Sequence, residues 1–371
     1  MIILQVAHIT KTPGPVQSLA RFFCEKRGTT CYQVLHPLDN SLANSLLKKD
    51  GQAIVRKKRL FLGSAKYFFS FFLTLKWLKK LPGKFDLAIG MNCFDTLPLI
   101  IAKKFKLKKI GQIVFFNTDF SRKRFASPLL NKLYVVIDQI SAQKADFLCC
   151  NTKRTIQARI KEGIDKNKII YTPNGVFLTD IGKVKKDKIF LPQLVYVGSL
   201  NKDHGLQNVF PILAKTKLKL FIIGSGPDES YFKEMVKNHN LAGQVSFLGP
   251  MKHKQVIDFL KNFSGFGLAP YIQKSDWVYY ADPVKIKEYL ACLVPPVTTN
   301  TTEVAQTIKK KSLGFVYQEN PEKIFKRIAS LDNSQYREFI KNIKKHQKDF
   351  DYQKNYSSMF SVINRGNNEQ S

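Results

Sequence analysis

The stretch Tyr280-Ala281-Asp282-Pro283-Val284-Lys285-Ile286-Lys287-Glu288-Tyr289-Leu290-Ala291-Cys292 carries the most specific chemistry in this sequence. Asp282 is a natural N-cap and Pro283 suits the first helical position, so the spacing predicts a helix over 284–292. Lys285 then falls in the first turn, where a cation works against the helix dipole unless an anion sits there. A bound diphosphate would remove that conflict. Glu288 shares a face with Lys285 and is placed to accept hydroxyl hydrogen bonds from a ribose. Alone, the stretch fits a capping Asp and a surface Lys–Glu pair equally well, so its neighbours must decide.

Three turns precede it, each after an apolar run. Val197-Gly198-Ser199-Leu200-Asn201-Lys202-Asp203-His204-Gly205 ends a strand in Gly-Ser and leads to a helix expected over 206–214. That is the geometry of an anion cradle, with Lys202 and His204 near its mouth. Gly224-Ser225-Gly226-Pro227-Asp228 places a second flexible turn on the same carboxyl edge, where open parallel sheets bind ligands. In Val245-Ser246-Phe247-Leu248-Gly249 the backbone is available to pair with a base edge. Singly these are turns; in this order they point to a nucleotide.

Short apolar runs alternate with amphipathic segments along the whole chain, the βαβ pattern of parallel sheets. Strands are expected near 2–7, 30–35, 87–91, 110–116, 147–150 and 169–171. A second set is expected near 194–197, 218–223, 245–247, 265–269, 297–299 and 314–317. The 371 residues suit two domains. The expected fold class is α/β, with a Rossmann-like domain at 1–180 and another at 190–334. A lysine-rich linker at 179–192 joins them, and a polar helical tail at 335–371 is expected to pack back toward the first.

In the first half, Thr10-Lys11-Thr12-Pro13-Gly14-Pro15 joins a strand to a helix. Gly14 would let the backbone approach an anion there, and an ordinary tight turn explains it as well. Neither G-x-G-x-x-G nor a Walker A loop occurs, which argues against an NAD enzyme or P-loop ATPase. Lys66–Leu81 reads KYFFSFFLTLKWLKKL, after Arg56-Lys57-Lys58-Arg59. As a helix it carries Phe68, Phe71, Phe72, Leu75 and Leu78 on one face, with Phe69, Leu73 and Trp77 opposite. Two readings stay open: a helix lying in the plane of a membrane surface, or a core helix with a snorkelling basic end.

Charge is the unusual feature of the composition, with 60 Lys+Arg against 28 Asp+Glu and a net charge of +32. Residues 1–180 hold 31 basic and 11 acidic side chains, and the remainder 29 and 17. Such an excess favours an anionic partner: a lipid surface, nucleic acid or a phosphorylated substrate. Compositional drift toward lysine is the plainer alternative. The six Cys include no CxxC pair and sit mostly in apolar runs, as free thiols in a reducing compartment do. The opening MIILQVAHIT reads as a strand rather than a signal peptide, and no apolar run reaches the roughly 20 residues of a spanning helix. A cytoplasmic protein at the inner face of the membrane is expected.

The order of the second-half motifs resembles the GT-B glycosyltransferases, in particular glycosyltransferase group 1 (family 4-like). In that class the loop after the second domain's first strand cradles a diphosphate, the segment after V-x-F-L-G meets the base, and P-x-K-x-x-E-Y-x-A holds the nucleotide. First-half segments agree: Phe116-Asn117-Thr118-Asp119-Phe120, Arg124-Phe125, Leu130-Asn131-Lys132-Leu133-Tyr134, Ala145-Asp146, Asn151-Thr152 and Pro173-Asn174-Gly175-Val176. The sequence departs from the class in three places. Tyr280 stands where many members carry Glu, Ser199 and His204 where they carry Arg and Lys, and Leu293 where they carry Gly.

The resemblance implies two domains facing a central cleft and a donor held by Gly198, Ser199, Lys202, Gly224, Ser225, Leu248, Asp282, Lys285 and Glu288. Gly14 and Asp119 would approach from the facing domain, Asp119 as a base or an acceptor-hydroxyl anchor. It implies hexosyl transfer from a nucleotide-diphosphate sugar to a saccharide or lipid-linked acceptor, in cell-surface polysaccharide or glycolipid synthesis. No cofactor or metal is expected, since no His/Cys cluster with ligand spacing occurs. Another GT-B activity, such as a nucleotide-sugar epimerase, is the enzyme alternative. A basic nucleic-acid-binding protein is the alternative of a different class, though no recognised module supports it.

Overall fold

The computed structural model describes residues 1–10, 14–58, 63–184, 189–272, 276–318 and 320–368. The chain forms two compact units: Met1–Thr172 together with the residues from Tyr356 on, and Pro173–Asn355.

The first unit is built on eight strands: β1 Ile2–Ile9, β2 Thr30–Pro37, β3 Asn44–Lys49, β4 Gln52–Lys58, β5 Lys84–Gly90, β6 Lys109–Asn117, β7 Phe147–Cys150 and β8 Ile169–Tyr171. Their order is β4-β3-β2-β1-β5-β6-β7-β8. The strands from β2 through β8 run parallel, and β3 and β4 form an antiparallel hairpin on β2. β1 is buried along Ile3–His8, as expected for a strand covered on both faces. The order turns at β1, with β2 on one side and β5 on the other. A doubly wound sheet opens its ligand crevice at the carboxyl end of such a strand.

The hairpin is an addition to the expected elements. Asp50 (φ 48°) and Gly51 (φ 83°) make a turn with both residues left-handed, for which Asp-Gly is a leading sequence signal. β4 is exposed along most of its length and carries Arg56, Lys57 and Lys58, which suits an edge strand guarded against further pairing.

The Ala65–Lys80 helix answers both readings of its sequence. It buries Ser70, Leu73, Thr74, Trp77 and Leu78 in the core. Phe68 and Phe72, on its other side, are 72% and 52% exposed. The terminal segment also differs from expectation: Tyr356, Met359, Phe360 and Ile363 recur at helical spacing and are buried. Tyr356 and Phe360 meet Phe22 and Phe23 at 5.6 and 5.7 Å between ring centroids.

The second unit carries β9 Gln193–Val197, β10 Lys219–Ile223, β11 Val245–Gly249, β12 Phe266–Ala269, β13 Pro296–Thr299 and β14 Phe315–Tyr317. Its order is β11-β10-β9-β12-β13-β14, all parallel. β9 is the switch strand, and Gly198 follows it directly. The single helix expected over 206–214 is instead a 3-10 turn, Leu206–Asn208, and a four-residue helix, Phe210–Leu213. Gly205, left-handed at φ 78°, separates them from the 3-10 turn Lys202–His204.

The chain enters this unit at Pro173, ahead of the segment expected as a linker. Part of that segment is a short helix, Leu178–Ile181, and its Lys185, Lys186 and Lys188 lie outside the described residues. The entering and leaving stretches pair: Val176 N donates to Phe350 O (2.9 Å) and Tyr352 N to Val176 O (2.9 Å). A Cβ on Gly175 would stand 2.6 Å from the Phe350 carbonyl oxygen, so only glycine fits there.

Candidate functional site

The Val284–Ala291 helix is held on its sheet by Tyr289. Its hydroxyl donates toward Val195 O (3.3 Å) or Leu268 O (3.2 Å) and accepts from Val197 N (3.0 Å). A Cβ on Gly267 would come within 2.4 Å of the Tyr289 ring, so that glycine makes room for it. The helix ends in Leu293, left-handed at φ 56°, which accounts for the glycine common at that place in the class.

Asp282 corrects an expectation. Pro283 occupies the cap position, and Asp282 turns inward, with Oδ1 3.0 Å from Lys287 Nζ. Its Oδ2 accepts from Asn174 N and its carbonyl from Asn174 Nδ2, both at 2.8 Å. Burial pushes the Asp282 carboxyl up, against the pull of Lys287 and Asn174. This carboxylate is fully occupied in fixing the Pro173-Asn174-Gly175-Val176 crossing and is not open to a ligand.

Lys285 faces the other way. Its Nζ lies 4.4 Å from the centroid of Tyr196 and 5.5 Å from that of Tyr271. Among the described residues it makes no hydrogen bond or ion pair. Burial lowers its ammonium to about 8, with the nearby Glu288 charge pulling back. Gly198, at φ 147°, leaves it space: a Cβ there would stand 2.7 Å from Lys285 Nζ. The Gly198 and Gly224 turns lock together through Gly198 N to Ile223 O and Leu200 N to Ser225 O, both 3.0 Å. A Cβ on Gly224 would strike Gly198 O at 2.0 Å. Ser199 and Ser225 are exposed beside these turns.

Lys202 opens the 3-10 turn Lys202–His204. Its Nζ sits 3.7 Å from Asp228 Oδ1 and 3.9 Å above the Tyr231 ring, while its N–H donates to Asp228 Oδ2 (2.9 Å). His204 approaches Ser199 O (3.1 Å) and the Tyr196 hydroxyl (3.2 Å) through Nδ1; burial and Lys285 lower its pKa, keeping it neutral. Glu288 Oε1 lies 2.7 Å from His253 Nε2, and this hydrogen bond raises the His253 pKa. Leu248, on edge strand β11, is 37% exposed.

In the first unit, the Gly14 N–H donates to Gln17 Oε1 (2.9 Å) in a capping arrangement with extended backbone, φ −158°. That N–H is therefore not free to meet an anion, contrary to the expectation for Gly14. Lys11, Thr12 and Pro13 lie outside the described residues. Asp119 follows β6, and its carboxylate is exposed. Desolvation opposes the charge of Arg124, yet Asp119 and the phenols of Tyr67 and Tyr134 hold its guanidinium above its usual pKa. Fully buried Arg159 braces this loop, reaching Asp138 at 2.6 and 2.9 Å and Asn117 Oδ1 at 3.2 Å, with Phe120 stacked 4.6 Å away.

Residues 181–346 match the family described as "Glycosyl transferases group 1". Solved glycosyltransferases share the whole GT-B fold. Sucrose-phosphate synthase from Thermosynechococcus elongatus superposes with a TM-score of 0.75 at 14% identity, over 98% of both chains. Anabaena Alr3699/HepE in complex with UDP gives 0.72 at 14%, over 98% of this chain and 100% of that one. The lipopolysaccharide outer core galactosyltransferase WaaB gives 0.67 at 15%, over 97% and 99%. No curated protein matches the sequence.

Sequence reasoning missed three groups, one in the second unit and two in the first. His253, which holds Glu288, opens the His253–Asn262 helix close behind the Val245–Gly249 strand. His8 is the next-to-last residue of β1, the switch strand, its Nδ1 2.6 Å from Asp95 Oδ1, and Asp95 Oδ2 accepts the His8 N–H (3.1 Å). His8 Nε2 is buried with no polar partner among the described residues. A histidine held by a carboxylate with its far nitrogen unpaired is equipped to accept a hydroxyl proton. Arg124 was noted only as a motif residue, and its signal is the aromatic cluster beside it.

Proposed function

We propose that the protein transfers a hexosyl group from a nucleotide-diphosphate sugar to a saccharide or lipid-linked acceptor in cell-surface polysaccharide or glycolipid synthesis, at the inner face of a membrane. The observation that carries this is Lys285, a half-buried ammonium without a hydrogen bond or ion pair among the described residues, facing a glycine that keeps its surroundings clear. A diphosphate supplies the missing counter-charge, and Lys285 then offsets the charge that develops on the leaving phosphate. Ser199 and Ser225 offer hydroxyl groups to the same anion, and Gly198 and Gly224 keep side chains out of its way. Glu288, oriented by His253, accepts from the ribose. Leu248 offers the exposed strand edge to the base.

Asp119 and the His8–Asp95 pair are the groups of the first unit suited to meet an acceptor hydroxyl. The solved structure of HepE with UDP-glucose supports a nucleotide-sugar donor, and the lipopolysaccharide named for WaaB supports a lipid-linked acceptor. The +20 charge of residues 1–180 (31 − 11) and the exposed Phe68 and Phe72 support the membrane location. Thermal-shift measurements with UDP-, GDP- and ADP-sugars test the reading. One of them should stabilise the protein, and Glu288→Ala should lose the shift. No stabilisation by any of the three would contradict the proposal.

A further inference from the structure

A cavity of about 410 Å³ in the first unit lies between the start of the Ala65–Lys80 helix and the start of the Pro128–Lys144 helix. Apart from Ser64, its lining is alanine, leucine, isoleucine, tyrosine and phenylalanine. It runs past residues 64–72 of one helix and 130–137 of the other, roughly 10–12 Å at 1.5 Å per residue. Phe68 (72% exposed), Phe72 (52%) and Leu133 (54%) form its open rim, and Leu129 (76%) extends the apolar face. Soluble surfaces rarely leave such a contiguous patch without an occupant.

The inner wall and the surrounding charge say what occupant fits. Tyr67 lines the cavity, stacks on Phe94 at 4.3 Å and lies 5.1 Å from the His8 ring. Its hydroxyl bonds Arg124, an exposed residue whose guanidinium interacts with the Asp119 carboxylate. Residues 56–80 hold eight basic side chains (56, 57, 58, 59, 66, 76, 79 and 80) and no acidic one. Lys123 and Lys132 add exposed positive charge beside the second helix. An apolar channel whose Tyr67 wall is bonded to an arginine, on segments rich in basic residues, complements a hydrocarbon chain that ends in a phosphate.

We propose that this groove takes the hydrocarbon chain of a phosphate-bearing lipid acceptor, with Arg124 receiving the phosphate. The proposal rests on the glycosyltransferase reading and gives that reading an acceptor class. Seating the phosphate at Arg124 brings the attached acceptor hydroxyl toward Asp119 and the His8–Asp95 pair.

Calorimetric titration with dodecyl phosphate, kept below its micelle concentration, tests it against two controls: dodecanol and inorganic phosphate. Dodecyl phosphate should bind at least tenfold more tightly than either control. Phe72→Asn and Leu133→Asn, both at exposed positions that folding does not need, should each weaken it about tenfold. Arg124→Gln should reduce dodecyl phosphate to the affinity of dodecanol. Equal binding of inorganic phosphate, or binding indifferent to Phe72→Asn and Leu133→Asn, would overturn the proposal. So would a fall from dimer to monomer in these variants without any binding of dodecyl phosphate, since the face would then join two copies of the chain. The nucleotide-sugar thermal shift, run on the same samples, separates the two readings. With that shift intact, lack of dodecyl phosphate binding sinks only the groove; loss of the shift in the unaltered protein sinks the glycosyltransferase proposal itself.

Discussion

Lys285 and Lys287 stand on one short helix and are treated oppositely by the fold. Lys287 is buried, 3.0 Å from Asp282 and 5.1 Å from the Phe350 ring centroid, where it ties the helix to the crossing segments. Lys285 points toward Gly198 and has no ion-pair partner among the described residues, so burial depresses its pKa. A buried charge with a matched partner is architecture, because removing either member strands the other. A half-buried charge without one is a cost that folding alone does not repay, and such a charge is a candidate place for a ligand to bind.

Variants of the two lysines should therefore fail in different ways. The largest effect is expected for Lys285→Met: a loss of about 10²–10³-fold in kcat/KM for the donor, typical of removing one group that stabilises developing charge. Calorimetry should find its Tm equal to that of the parent or higher. A variant with unchanged kcat/KM would erase the contrast. Lys287→Met should instead destabilise the protein by about 3–5 kcal/mol in urea unfolding, by leaving Asp282 buried and unpaired. Adding Asp282→Leu to it should recover part of the loss, and no recovery would show that the pair is not what holds the crossing.

The pH dependence sharpens the contrast further. As pH rises through about 8, Lys285 loses its proton, and donor affinity should fall by up to tenfold per pH unit. Lys285→Met should flatten that limb of the profile. The sign for stability is opposite. The folded state holds this proton less tightly than the unfolded chain between about 8 and 10.5, so the contribution of Lys285 to stability rises across that window. The smallest effect belongs to His253→Ala. Its pair with Glu288 is 59% exposed on the histidine side, so about 1 kcal/mol or less is expected. Because the His253 pKa is raised, that contribution is present below about 6.5 and fades as pH climbs through the folded value. A stability difference that grew with pH would contradict the pairing.

The periodicity of apolar runs reveals both sheets, because a strand buried on two faces leaves an unbroken apolar signature. Lys285 and Glu288 are visible too, since their meaning lies in positions along one helix. The β3–β4 hairpin was legible in Asp50-Gly51 but is obscured by lysines on the edge strand. The fate of Asp282 was not legible. A local rule makes it a cap, and the partner that overrides the rule is Asn174, 108 residues away. The His8–Asp95 pair spans 87 residues and carries no local pattern. The pair of Lys202 with Asp228, on the next turn, was not legible either, since the two stand 26 residues apart.

The most direct test is the ionisation of Lys285 itself. Reductive ¹³C-methylation of the lysines, with Lys285→Met to assign the resonance, lets its pKa be followed by NMR with and without UDP. A value near 8 in the free protein that climbs once UDP is added is the predicted result. A resonance that titrates identically in both samples would mean that no phosphate meets this ammonium.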